Sequence, residues 1–72
     1  MAKRLNPIIQ KFSENLAKRR AHLGISQAEL AERMKTSQPK VCNMERGYTD
    51  VRLTTIYRLS KVLKVSPKYF LK

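Results

Sequence analysis

The sequence has few of the residues that crosslink small proteins or interrupt helices. Its 72 residues include one cysteine, no tryptophan, two glycines and three prolines. A single cysteine excludes a disulfide network and fits a reducing, intracellular setting. Cys42 and the lone histidine, His22, are also too few for a four-ligand zinc site. We therefore expect neither a metal ion nor a cofactor.

Acidic residues are scarce. The chain has five Asp and Glu residues and sixteen Lys and Arg residues, which gives a formal net charge of +11. Polyanions are the expected partners of such a chain, although charge alone does not separate DNA from RNA, ribosomes or a membrane surface. Each carboxylate has a role in capping or helix pairing, and the chain is too short for a substrate cleft, so we predict that it is not an enzyme.

Long apolar runs are absent as well. No segment approaches the roughly 20 residues needed to cross a bilayer, and the N-terminus has no signal-peptide pattern. We expect a cytoplasmic protein with no membrane partner, in which residues 1–72 form one domain. A chain of this length buries only about 60% of the surface that its unfolded form exposes.

The apolar residues that are present recur at helical spacing, which predicts an all-α fold of five helices. Their starts and stops are indicated by capping residues, glycine and proline. The first predicted helix begins after Asn6 and ends at Gly24. The second begins at the Ser26 to Glu29 capping box and ends near Lys35, and the third runs from Ser37 to Met44. The fourth follows an Asp50 cap and runs from Leu53 to Leu63, and the fifth begins after Ser66.

The same periodicity predicts the core. It consists of the apolar residues that lie on the inner faces of these helices. They are Phe12, Leu16, Leu23, Ile25, Leu30, Ala31, Met34, Val41, Met44, Leu53, Ile56, Leu59, Leu63, Val65 and Phe70.

Two of the predicted helices are short and closely spaced. Residues 27–34 and 38–44 are joined by only three residues, which is the spacing of a helix-turn-helix. The second helix needs only Val41 and Met44 for its inward face. Its outward residues, Ser37, Gln38, Lys40 and Asn43, are therefore candidates for contacting bases, because amides match the adenine edge and lysine reaches guanine or phosphate.

The residues Gln27 to Ala31, Val41, Met44 to Gly47 and Leu53 to Leu63 together resemble the Cro/C1-type (XRE) helix-turn-helix family. The resemblance covers the chain from Phe12 to Leu71. It implies a five-helix lambda-repressor-like domain that binds double-stranded operator DNA as a homodimer and regulates transcription. Family members include phage repressors and Cro proteins, restriction-modification controllers and antitoxins.

The resemblance also implies roles for individual residues. Gln38 and Asn43 match base-reading positions, whereas Gln27 matches a phosphate-binding position at a helix N-terminus. Arg20 and Glu45 match a structural ion pair, with a phosphate contact as the alternative role of Arg20. The loop after Gly47 and the chain start supply further candidates for phosphate contact: Arg46, Tyr48, Thr49, Arg52, Lys3 and Arg4. The candidate dimer interface is chosen on other grounds: it comprises Tyr57, Tyr69 and Leu71, because their apolar surface has little left to cover within one subunit.

Some positions depart from the family pattern. Lys35 and Thr36 stand where the family usually has glycine and an apolar β-branched residue, so either Lys35 accepts a strained backbone or the turn has another shape. Pro39 occupies a base-contacting position without a hydrogen-bonding side chain, although its ring can contact a thymine methyl. Cys42 stands where the family often has serine.

Two other functions remain open from the sequence. An antitoxin would bind a toxin protein as well as its own operator. A basic RNA-binding module would explain the charge but normally displays aromatic residues for base stacking. The sequence does not distinguish an activator from a repressor.

Overall fold

The structure is a computed structural model that describes residues 6–72, so the predicted N-terminal arm, Lys3 and Arg4, lies outside the described residues. The described part contains four α-helices and no strand. They are α1 (Pro7–His22), α2 (Gln27–Arg33), α3 (Gln38–Arg46) and α4 (Leu53–Leu63). The prediction of an all-helical chain is confirmed for these residues. The count of five α-helices is not, because Pro67–Leu71 forms a 3₁₀ helix, as is common for segments this short.

Three of the helices begin at side-chain caps that the sequence predicted. Asn6 Oδ1 accepts from the Ile9 amide at 2.9 Å, Ser26 Oγ from the Glu29 amide at 3.0 Å, and Ser37 Oγ from the Lys40 amide at 3.3 Å. The second bond predicted for the capping box, from the Ser26 amide to the Glu29 carboxylate, is wrong. The Glu29 carboxylate accepts from Arg33 Nη2 at 2.8 Å, one turn further along the helix.

Two other predicted caps and one predicted helix end are also wrong. The residue that precedes α4 is Arg52, and it forms no side-chain cap. Asp50 lies two residues too early to cap α4, because a cap must directly precede the first helical residue. Ser66 likewise precedes the 3₁₀ helix without a side-chain cap. Helix α3 extends past the predicted end at Met44, since Arg46 is still helical and the left-handed residue is Gly47.

A residue with positive φ lies within two positions of the end of each α-helix: Gly24 (72°), Lys35 (56°), Gly47 (74°) and Lys64 (59°). Glycine adopts this conformation without a Cβ clash, whereas a lysine there costs on the order of 1 kcal/mol. Lys35 therefore accepts the strained backbone, which is the first of the two alternatives expected for this turn. The positive φ of Lys64 was not predicted.

The core lies between the four helices and the 3₁₀ helix. It forms one cluster of buried residues, namely Phe12, Leu16, Ile25, Leu30, Ala31, Met34, Val41, Met44, Ile56, Leu59, Leu63 and Phe70. Three other predicted core residues are not fully buried. Leu23 is 37% exposed because it follows the end of α1, Leu53 is 80% exposed at the first turn of α4, and Val65 is only partly buried.

None of the helices in residues 6–72 combines the length and the apolar character that crossing a membrane requires. The same residues contain no cluster of His, Cys, Asp and Glu that could hold a metal ion.

Candidate nucleic-acid interface

Helix α3 is anchored by one narrow face. Val41 and Met44 are buried, and α3 packs against both α1 and α2. Ser37, Gln38, Lys40 and Asn43 are all exposed. The helix therefore presents most of its circumference to solvent, as a helix must if it is to enter a DNA groove.

The exposed side of α3 borders a shallow groove. Its lining comprises Gln27, Gln38, Pro39, Cys42, Asn43 and Arg46. Residues 38, 42 and 46, and likewise 39 and 43, follow one another at helical spacing, which places them side by side. Both predicted base-reading amides thus lie on the same surface as Gln27 and Arg46. The groove is referred to below as the amide groove.

A second depression lies on the other flank of α3. Lys40 lines it together with Thr49, Asp50, Arg52 and Arg58. The structure therefore divides the predicted residues differently from the sequence. Lys40, predicted as a base-reading residue, lies with the phosphate candidates of the α3–α4 loop rather than in the amide groove.

Glu45 connects three helices. Its carboxylate accepts from Arg20 Nε at 2.6 Å and Arg20 Nη2 at 3.1 Å, and from Gln27 Nε2 at 2.9 Å. Arg20 also donates to the Ile25 carbonyl at 2.8 Å. The hydrogen bond and the negative charge of Glu45 raise the pKa of Arg20 above its ordinary value, against the opposing effect of burial. The Arg20 guanidinium is thus hydrogen-bonded within the fold. Gln27 still has one amide hydrogen that can be donated to another acceptor.

The loop between α3 and α4 carries the remaining phosphate candidates. The Arg46 guanidinium carbon lies 5.8 Å from the centroid of the Tyr48 ring, a cation–π distance. The Thr49 hydroxyl donates to the Asp50 carbonyl at 3.3 Å. Arg46, Tyr48 and Arg52 are exposed, so all three can be reached by a phosphate.

The predicted dimer residues lie elsewhere. Tyr57 and Leu71 are exposed, whereas Tyr69 is half-buried with its ring edge-on to Phe70 at 5.5 Å. Leu71 borders an apolar groove together with Ile8, Leu53 and Ile56. Ile8 is 61% exposed and Leu53 is 80% exposed. The sequence did not indicate either residue for an interface.

Long side chains also bind the ends of neighbouring helices. Asn15 Nδ2 donates to the carbonyls of Tyr69 and Phe70 at 3.1 Å each, Arg19 Nε to the Leu63 carbonyl at 2.9 Å, and Arg58 Nη2 to the Met34 carbonyl at 2.6 Å. The partners are 24 to 55 positions apart. No local sequence signal predicts these contacts.

A model of a helix-turn-helix family, HTH_3, matches residues 16–70. This chain belongs to the Cro/C1-type helix-turn-helix family. The helix-turn-helix is α2 and α3 with the connecting residues 34–37, so the amide groove lies on the second helix of the motif. The resemblance inferred from the sequence is confirmed.

Several solved structures resemble this helix-turn-helix chain. The restriction-modification controller protein C.AhdI from Aeromonas hydrophila is 31% identical, with a TM-score of 0.81 over 86% of this chain and 94% of that one. The hypothetical transcription factor NHTF from Neisseria is 23% identical, with a TM-score of 0.87 over 100% and 85%. The restriction-modification controller protein C.Esp1396I is 23% identical, with a TM-score of 0.81 over 90% and 84%. The last two show the fold alone. No curated protein matches the sequence.

Proposed function

We propose that this chain is a sequence-specific transcriptional regulator that reads the major groove of double-stranded DNA with α3. The observation that carries the proposal is the amide groove. Gln38 and Asn43 are exposed on the second helix of a helix-turn-helix and border one surface. Each amide can accept from N6 and donate to N7 of adenine, and a good bidentate pair contributes about 1–3 kcal/mol of discrimination.

The middle of the amide groove is apolar. Pro39 and Cys42 lie between the two amides and offer no charged group. A thymine methyl fits against such a surface, and an A·T pair places that methyl beside the adenine edge in the major groove. We therefore expect A·T pairs among the specified positions of the operator.

Cations and amides around α3 would bind the DNA backbone. Gln27 and Arg46 border the amide groove, and Tyr48 lies beneath the Arg46 guanidinium. Lys40, Thr49 and Arg52 border the second depression and would contact the DNA backbone on the other side of the major groove. Arg20 is left out of this set, because Glu45 and the Ile25 carbonyl already bind its guanidinium.

The regulator would act as a homodimer on a palindromic operator, with its two copies of α3 about one DNA turn apart, roughly 34 Å. The apolar groove bordered by Ile8, Leu53 and Leu71 supports a second copy of the chain as its occupant, because these residues are exposed in the monomer. Tyr57 and Tyr69, the other predicted interface residues, lie on α4 and the 3₁₀ helix.

The biological system that the comparisons favour is restriction-modification control, since C.AhdI is 31% identical over most of both chains. None of the three relatives described above is named as an antitoxin, and a toxin partner has no support among them. An RNA-binding role has less support from the aromatic residues. Phe12 and Phe70 are buried against each other with ring centroids 5.6 Å apart and cannot stack on bases, which leaves the exposed rings of Tyr48 and Tyr57.

Selection of bound sequences from a random pool of duplexes tests the proposal. We expect enrichment of an inverted repeat whose half-site centres lie about one helical turn apart. Enrichment of no sequence, or tighter binding to single-stranded RNA than to any duplex, would contradict it. A single unrepeated site would contradict the dimer alone.

A further inference from the structure

The end of α2 is held by a residue from α4. The turn closes with bonds from the Lys35 amide to the Glu32 carbonyl (3.1 Å) and from the Thr36 amide to the Ala31 carbonyl (2.9 Å). These bonds leave the Met34 carbonyl without a backbone donor. Arg58 Nη2 donates to it at 2.6 Å, and a hydrogen bond from a charged donor is stronger than a neutral one.

The Met34 carbonyl belongs to the peptide plane that precedes Lys35. Because this plane is rigid, its orientation relative to Lys35 is set by the φ angle of Lys35. That angle is +56°, in the left-handed region that lysine disfavours. A donor that fixes the Met34 oxygen therefore opposes the relaxation of Lys35 toward negative φ.

The same arrangement occurs at the other lysine with positive φ. Arg19 Nε donates at 2.9 Å to the carbonyl of Leu63, directly before Lys64 at +59°. Among the described residues, these two lysines are the non-glycine residues with positive φ, and each follows a carbonyl bound by an arginine. The chain thus pairs a strained lysine with an arginine from another helix at two independent sites.

The two sites differ in what depends on them. The turn at Lys64 leads to the 3₁₀ helix, whereas the turn at Lys35 leads directly into α3, which begins at Gln38. A rotation at Lys35 moves α3 as a body and displaces Gln38 and Asn43 together. Hydrogen bonds to base edges tolerate only a few tenths of an ångström.

We propose that Arg58 is a positioning residue for base recognition, which sets the angle of α3 by holding the Met34 carbonyl. This inference rests on the proposed function. It differs from a direct phosphate contact by Arg58, whose side chain also borders the depression that contains Lys40 and Arg52. A phosphate contact would affect every duplex alike, whereas a positioning role affects the preferred site selectively.

The test compares R58M with the matched control R19M, which removes the same kind of bond next to Lys64. Affinity is measured for the selected operator and for a scrambled duplex at several salt concentrations. We expect R58M to lower the ratio of operator to scrambled affinity about tenfold, the equivalent of one lost base contact. Its salt slope on scrambled DNA should stay at the wild-type value, and R19M should leave the ratio unchanged.

A second variant tests the link to Lys35. Glycine accepts positive φ without strain, so the double variant K35G/R58M should recover a ratio within about threefold of K35G alone. If thermal denaturation and circular dichroism show that R58M is unfolded, the comparison of K35G/R58M with K35G still tests the role of Arg58.

The possible outcomes separate the hypotheses. Four results would overturn the positioning role. The first two are an unchanged ratio of operator to scrambled affinity in R58M, and an equal loss of affinity for both duplexes in R58M with a salt slope lowered by about one. The others are an equal loss of the ratio in R19M, and no recovery of the ratio in K35G/R58M. A wild-type protein that prefers no duplex would instead overturn the proposed function itself.

Discussion

At the scale of single residues, Lys64 occupies a position where most chains place glycine. Helix α4 ends there with φ of +59°, and the Val65 amide bonds back to the Ser60 carbonyl at 3.0 Å. The bond pattern is the one that glycine-terminated helices form. The strain is local, because it arises from the Cβ of Lys64 itself.

Lys64→Gly should therefore raise the free energy of unfolding by up to about 1 kcal/mol, since glycine removes the Cβ clash. Urea denaturation measures the change. Lys64→Ala is the matched control, because it removes the same charge but keeps the Cβ. An equal gain in the alanine variant would show that the charge of Lys64, rather than its φ angle, destabilises the protein.

The residue scale also shows where prediction from sequence ends. Asn6, Ser26 and Ser37 were predicted as caps because a cap and its amide partner lie three positions apart in sequence. The conformation of Lys64 was missed, because the arginine that holds the preceding carbonyl lies 44 positions away. Leu23 and Leu53 were assigned to the core by periodicity, yet both lie at helix ends, where the periodic face no longer points inward.

At the scale of helices, Glu45 joins the second helix of the motif to its support. Its side chain is 6% exposed, and its carboxylate binds Arg20 of α1 and Gln27 of α2. Desolvation offsets much of the attraction in such a pair, so its main contribution is to fix one arrangement of α1, α2 and α3.

Glu45→Leu should destabilise the protein by about 3 kcal/mol, because it leaves the Arg20 guanidinium partly buried without its counter-charge. The double variant Arg20→Met with Glu45→Leu should be more stable than Glu45→Leu alone. Urea denaturation of both variants gives the comparison. A double variant less stable than the single one would contradict the account, because it would mean that Arg20 stabilises the fold independently of Glu45.

Prediction succeeded best at this scale for the helix-turn-helix itself. Two short periodic segments, separated by three residues, predicted α2 and α3 with the correct starts. The start of α4 at Leu53 was also predicted correctly, but its cap was not, because the preceding residue, Arg52, forms no side-chain cap and Asp50 lies two positions earlier. The sequence also did not predict that Lys40 lies outside the amide groove, because its surroundings depend on where the α3–α4 loop packs.

At the scale of the whole molecule, the amide groove and the apolar groove have separate locations. The net charge of +11 favours association with DNA of any sequence. The apolar groove is bordered by Ile8, Leu53 and Leu71, with Asn6 and Pro7 at the start of α1 beside them. It shares no lining residue with the amide groove, so a second copy of the chain can bind there without covering Gln38 or Asn43.

Leu53→Gln should weaken dimerisation at least about tenfold, because each copy loses the burial of one leucine. Leu53 is 80% exposed in the monomer, so its fold should be retained. Sedimentation equilibrium measures the dissociation constant, and Leu23→Gln, a partly exposed leucine outside the groove, is the control. A dimer as tight as the wild type in Leu53→Gln would place the interface elsewhere.

The measurement that tests the central claim most directly is the affinity of Gln38→Ala and Asn43→Ala for the selected operator and for a scrambled duplex. Gln10→Ala, an exposed amide of α1, is the control. The account predicts that each α3 variant loses about 1–3 kcal/mol on the operator and almost nothing on scrambled DNA, while Gln10→Ala binds both as the wild type does. Equal losses on the two duplexes would contradict base recognition by α3.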